Sequence, residues 1–137
     1  MKSERASMRR LLIITVCTVV AAIISCSRDK QDFAAANAAK DYYELLIAGQ
    51  YGQFVRGMNY ANPIPDSYRE QLELNARMFV NEMNADRKGL REVRVINCVS
   101  DSVLPAANAY LMLCFGDSTF EQVVVPMVKR DGRWYMK

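Results

Sequence analysis

The chain has 137 residues, with 18 basic and 15 acidic side chains, four cysteines and no histidine. Residues 1–25 hold four of the basic groups and one of the acidic ones, so residues 26–137 carry 14 of each. That balance leaves no basic excess to mark a nucleic-acid partner. The missing histidine excludes Ser-His-Asp and Cys-His nucleophile pairs, imidazole bases and histidine-ligated zinc. Neither G-x-G-x-x-G nor G-x-x-x-x-G-K-[ST] occurs, so no phosphate-cradling loop is marked.

Lys2, Arg5, Arg9 and Arg10 stand against the single acid Glu4, ahead of an uncharged apolar run over residues 11–25. A basic head, an apolar run and a small residue at its end are the three parts of a secretory signal. The run is 15 residues long, whereas a spanning helix needs about 20. Ile23-Ile24-Ser25-Cys26 resembles the lipobox of bacterial lipoproteins. The resemblance implies cleavage between Ser25 and Cys26 and a diacylglycerol on the Cys26 thiol, which would tether the chain to a membrane. Ser27, in place of a retention aspartate, resembles lipoproteins sorted to the outer membrane of Gram-negative bacteria. Met8, followed by Arg9 and Arg10, is an alternative start. The expected organisation is a signal over 1–25, a lipidated tether over 26–32 and one domain over 33–137.

That domain opens with an alanine-rich helix whose face is Ala36, Ala39, Tyr43, Leu46 and Ile47, stopped by Gly49. Tyr51, Phe54, Val55 and Met58 suggest a second, shorter helix, weakened by Gly52 and Gly57. A loop with two prolines follows. Ser67 and Glu70 form a capping-box pattern, and Tyr68, Leu72, Ala76, Phe79 and Met83 then line one face of a third helix. Glu73 and Arg77 are placed to pair one turn apart, and Gly89 is a natural stop.

After Gly89 the period shortens to that of strands. Val93, Val95, Ile96, Cys98 and Val99 make the first, residues 109–115 the second, 120–128 the third and 133–137 the last. Arg130-Asp131-Gly132 carries an Asp-Gly hairpin signal. Helices followed by an antiparallel meander give an α+β domain, with a curved sheet of about four strands. The two central strands are apolar on both parities, which predicts an exposed apolar patch on the convex face, with Met112 and Val125 in it. A homodimer or a protein partner would cover that patch. Cys98 and Cys114 flank the 101–108 turn, so a cross-strand disulfide is one option in an oxidising envelope and buried apolar thiols the other. Their spacing matches no metal knuckle, and no metal or cofactor is expected.

Tyr42-Tyr43-Glu44-Leu45-Leu46-Ile47-Ala48-Gly49-Gln50-Tyr51 and the ending Val128-Lys129-Arg130-Asp131-Gly132-Arg133-Trp134-Tyr135-Met136-Lys137 resemble the nuclear-transport-factor-two-like superfamily. More narrowly they resemble lumazine-binding-like domains of unknown function found on bacterial lipoproteins. The resemblance implies a cone in which helices pack on a concave sheet, over residues 33–137. Enzymes, binders and assembly modules share that fold, so it does not fix an activity.

Tyr43, Tyr60, Tyr68, Phe79, Tyr110, Met112 and Trp134 are the candidate lining of such a cone, or else its packed core. No catalytic motif stands out. The expectation is a lipid-anchored envelope module that binds a small apolar ligand or a protein. The alternative is an isomerase- or hydratase-like enzyme using a carboxylate such as Asp41 or Glu44 with a tyrosine.

Overall fold

The computed structural model describes residues 32–137. The signal segment, the cleavage position at Ser25 and Cys26, the lipid site Cys26 and the tether up to Gln31 lie outside the described residues. Three helices come first: α1 (Ala34–Ile47), α2 (Tyr51–Arg56) and α3 (Asp66–Arg87). Four strands follow, β1 (Leu90–Ser100), β2 (Ala106–Phe115), β3 (Phe120–Arg130) and β4 (Arg133–Met136), as an antiparallel sheet in the order β1-β2-β3-β4. This is the α+β arrangement expected from the sequence.

Alanine sets how closely α1 approaches the sheet. Ala35, Ala36 and Ala39 are buried with Tyr42 and Leu46. The helix is rotated relative to the expected face: Tyr42 points into the core, Tyr43 is half-buried and Ile47 is exposed. Alanines on every side of the helix leave its phase to the large residues, and both orientations bury Leu46. Gly57, just after α2, lies against the Tyr42 ring, where any Cβ would overlap it.

The third helix departs from expectation at both ends. Its N-cap is Pro65, no side chain caps it, and Ser67 lies inside the first turn, so the Ser67–Glu70 box does not form. At the other end Lys88 takes the left-handed conformation (φ 58°), and the Gly89 N–H closes on the Met83 carbonyl at 2.9 Å. Two positive φ values in succession, at Lys88 and Gly89, turn the chain back so that this bond satisfies a carbonyl of the last turn. Arg77 does not pair with Glu73; its guanidinium lies 5.6 Å from the Tyr51 ring centroid and holds α3 against α2. Only Ala76 of α3 is buried.

In the sheet, Asp131 and Gly132 have φ of 50° and 76°. Two positive φ values in succession fit the twist of a two-residue hairpin, and Arg130 and Arg133 form the closing pair. The register slips once after Leu90 and again between Val95 and Asn97, leaving Ile96 as an inserted, exposed residue.

Candidate functional site

Parity separates the two faces of the sheet. Ala107, Ala109, Leu111, Leu113 and Phe115 of β2 face α1, beside Val93 of β1 and Val125 and Met127 of β3. Ala35, Ala36, Ala39 and Tyr42 press onto them, and Ala109 and Leu111 are 0% exposed. The middle of the helix-covered face is thus packed with side chains. The Tyr42 hydroxyl donates to the Trp134 carbonyl at 2.7 Å, tying α1 to β4.

The seven aromatic and methionine candidates do not gather around one cavity. Tyr43 meets Phe54 edge-on at 6.2 Å, and Tyr60 meets Tyr68 edge-on at 6.4 Å, near the start of α3. Phe79 is exposed on α3. Tyr110 and Met112 project from the opposite face of the sheet, across from Val124 and Gln122. Trp134 lies on the helix side, half-buried, with the Lys129 ammonium 5.8 Å from its ring centroid. Period and composition located these residues along the chain, but not the sheet face that each strand position occupies.

That opposite face is open to solvent over much of its length. Phe120 is 62% exposed, Val124 and Val99 each 49% and Ile96 44%. Tyr110 and Met112 are half-buried among them, and Cys114 is buried. Glu92 and Arg94 pair on β1 at 2.9 Å. The Arg94 hydrogen bond holds the Glu92 carboxyl below its ordinary range. Val125, expected in the exposed patch, belongs to the other face and is buried there, and Val124 takes the outward place.

A separate cleft of about 460 Å³ opens between α2, the loop after it and the β3–β4 hairpin. Arg56, Arg69, Arg130, Arg133, Tyr60 and Tyr135 line it over an apolar base that includes Val55 and Met58. The grouping is not legible in the sequence, because the four arginines come from four separate segments. Burial, and secondarily the neighbouring Tyr68, raises the Tyr60 phenol above its ordinary value.

No bond joins Cys98 to Cys114. Cys98 stands opposite Ala109 on the helix-covered face, and Cys114 stands opposite Glu92 on the other. Five positions of β2 separate the two levels, about 17 Å of strand, far beyond disulfide reach. The turn is centred nearer Cys98 than Cys114, and this offset removes the cross-strand pairing. Among the described residues no acidic side chain is buried. Asp41 and Glu44 are both exposed, and Glu44 pairs with Lys40 at 3.2 Å. No helix among the described residues is long and apolar enough to cross a membrane.

No protein-family model matches the chain, and no curated protein sequence matches it. Among solved structures it is similar to a Campylobacter jejuni protein assigned as an NTF2-like transpeptidase. The TM-score is 0.60 at 12% identity, covering 73% of this chain and 94% of that one. At that identity the likeness concerns the fold, and the fold is nuclear-transport-factor-two-like.

Proposed function

We propose that this protein is a lipid-anchored module of the bacterial cell envelope that works by binding a protein through the open face of its sheet, the partner being a second copy of the chain. One observation carries this reading. The helix-covered face is filled by Ala35, Ala36, Ala39 and Tyr42, while the other face leaves Phe120, Val124 and Val99 in solvent. A filled interior favours surface recognition over an enclosed apolar ligand. The isomerase-like alternative needs a desolvated carboxylate beside a tyrosine, and it draws no support from Asp41 or Glu44.

A two-fold arrangement sets the same apolar strip of two copies against each other. Each copy then brings Tyr110, Met112 and Val124 to the centre and the Glu92–Arg94 pair to one side. Anchoring rests on Ile23-Ile24-Ser25-Cys26, and outer-membrane sorting rests on Ser27. The narrower likeness to lumazine-binding-like lipoproteins rests on residues 42–51 and 128–137 alone.

Two experiments test the reading. Cys26→Ala should leave an unprocessed chain that takes up no labelled palmitate; normal processing in that variant defeats the anchor. Sedimentation equilibrium of the full chain in detergent should give a dimer that Val124→Lys or Met112→Lys converts to a monomer. A monomer in all three, or a dimer indifferent to both substitutions, defeats the proposed interface.

A further inference from the structure

We propose that the arginine-lined cleft is a binding site for a small polyanion, a molecule with a carbon body and two or more phosphate or carboxylate groups. Arg56 is the last residue of α2, Arg69 lies in the first turn of α3, Arg130 ends β3 and Arg133 begins β4. The fold brings these four guanidiniums around one opening, and no acidic side chain lines it. Acidic and basic groups are equal in number over residues 26–137, so the concentration of charge is created by folding and not by composition.

Ion pairing does not neutralise the group. Among the described residues, Arg69 alone of the four has a carboxylate partner, Asp66 at 2.9 Å, on a side chain that is itself 86% exposed. No ion pair among the described residues engages Arg56, Arg130 or Arg133. Like charges converging on a cleft repel one another, and an arriving anion turns that repulsion into attraction.

Several donors are already held in place. Arg130 donates through Nη1 to the Tyr60 carbonyl at 3.0 Å. Its Cζ and that of Arg133 lie 4.8 and 5.2 Å from the Tyr135 ring centroid. A guanidinium fixed by one hydrogen bond and one ring keeps most of its five N–H donors for a ligand. Its planar fork matches phosphate and carboxylate oxygens in pairs. The Tyr60 hydroxyl donates to the Met58 sulfur at 3.1 Å, a weak acceptor that an anionic oxygen would displace. The cleft volume falls within the range of small-molecule sites, about 300–1,000 Å³. It exceeds what a lone phosphate fills, and Val55, Met58, Pro63 and Ile64 offer apolar contact for a carbon body.

The site is independent of the proposed dimer face, so each can fail without the other. Isothermal titration of the full chain in detergent, with pyrophosphate and with citrate at low salt, should show one saturable site. Arg133→Gln and Arg56→Gln should each weaken it about tenfold or more, the loss of one charge-assisted hydrogen-bonding partner. Arg91→Gln removes the same charge from an exposed position of β1 outside the cleft and should leave binding unchanged. Thermal melts of the variants establish that the fold survives, and two independent substitutions guard against one failing to fold. Absence of saturable binding by either anion overturns the proposal. So does binding that Arg91→Gln weakens as much as Arg133→Gln does.

Nanodiscs of phosphatidylcholine with and without phosphatidic acid separate the two sources of such a ligand. Competition by phosphatidic acid that is lost in Arg133→Gln supports the site with a lipid headgroup as its occupant. Pyrophosphate affinity that phosphatidic acid leaves unchanged supports it with a soluble anion.

Discussion

The Tyr42 hydroxyl and the Trp134 carbonyl, 92 positions apart, are joined by a 2.7 Å hydrogen bond that fastens the first helix to the last strand. Tyr42→Phe keeps the ring and removes the bond, and should cost about 1 kcal/mol in urea unfolding. Gly57→Ala should cost about 1–3 kcal/mol, because the new methyl overlaps the same ring. An unchanged midpoint in both variants would remove Tyr42 from the core contacts that stabilise the domain.

Arg87 latches the end of α3 to the β2–β3 turn. Its Nη1 pairs with Glu121 Oε2 at 2.6 Å, Nε and Nη2 donate to Thr119 Oγ1, and Cζ lies 3.7 Å from the Phe115 ring centroid. Lysine offers neither the fork nor the flat face. Arg87→Lys should therefore lower stability by about 1 kcal/mol, read as a shift in melting temperature.

Acid should loosen the turns. The Leu104 and Val103 N–H groups hold the Asp101 carboxyl below its ordinary range, and the Thr119 hydroxyl and N–H do the same for Asp117. A depressed carboxyl contributes stability above its unfolded value and loses it as pH falls through the folded one. The melting temperature should drop as pH falls below about 4, the ordinary aspartate value. That drop should be shallower in Asp101→Asn and Asp117→Asn.

Peptide mapping without reductant should recover Cys98 and Cys114 in peptides that are not linked to each other. A linked pair would require β1 and β2 to shift against the register observed here.

The order of elements was legible in the sequence because each strand pairs with its neighbour in the chain and each break carries a turn residue. Gly49, Gly89 and Asp131-Gly132 all mark real ends. The facing of individual side chains was less legible. Tyr42 and Tyr43 compete for the core on a helix whose alanines are neutral between them, and the bulge at Ile96 changes parity partway along β1. The capping-box pattern at Ser67 lost to Pro65, which caps α3 two residues earlier. The arginine cleft was hidden for another reason: its members are separated by up to 77 positions in sequence, and only the closed fold makes them neighbours.

The pairing of Met58 with Met136, with hydrogen bonds from Asn59 N to Met136 O and from Met136 N to Gly57 O, has a kinetic consequence. The meander can zip hairpin by hairpin from local contacts, which favours rapid collapse of the sheet. The helical layer cannot finish docking in the same way, because its fasteners at Trp134 and Met136 emerge after all the other described elements as the chain is delivered N-terminus first. Until then α1 rests on β1, β2 and β3 alone, and the Tyr42 hydroxyl and the end of α2 lack the partners that fasten them. The interval before β4 arrives is therefore when this chain is most exposed to misassembly and proteolysis.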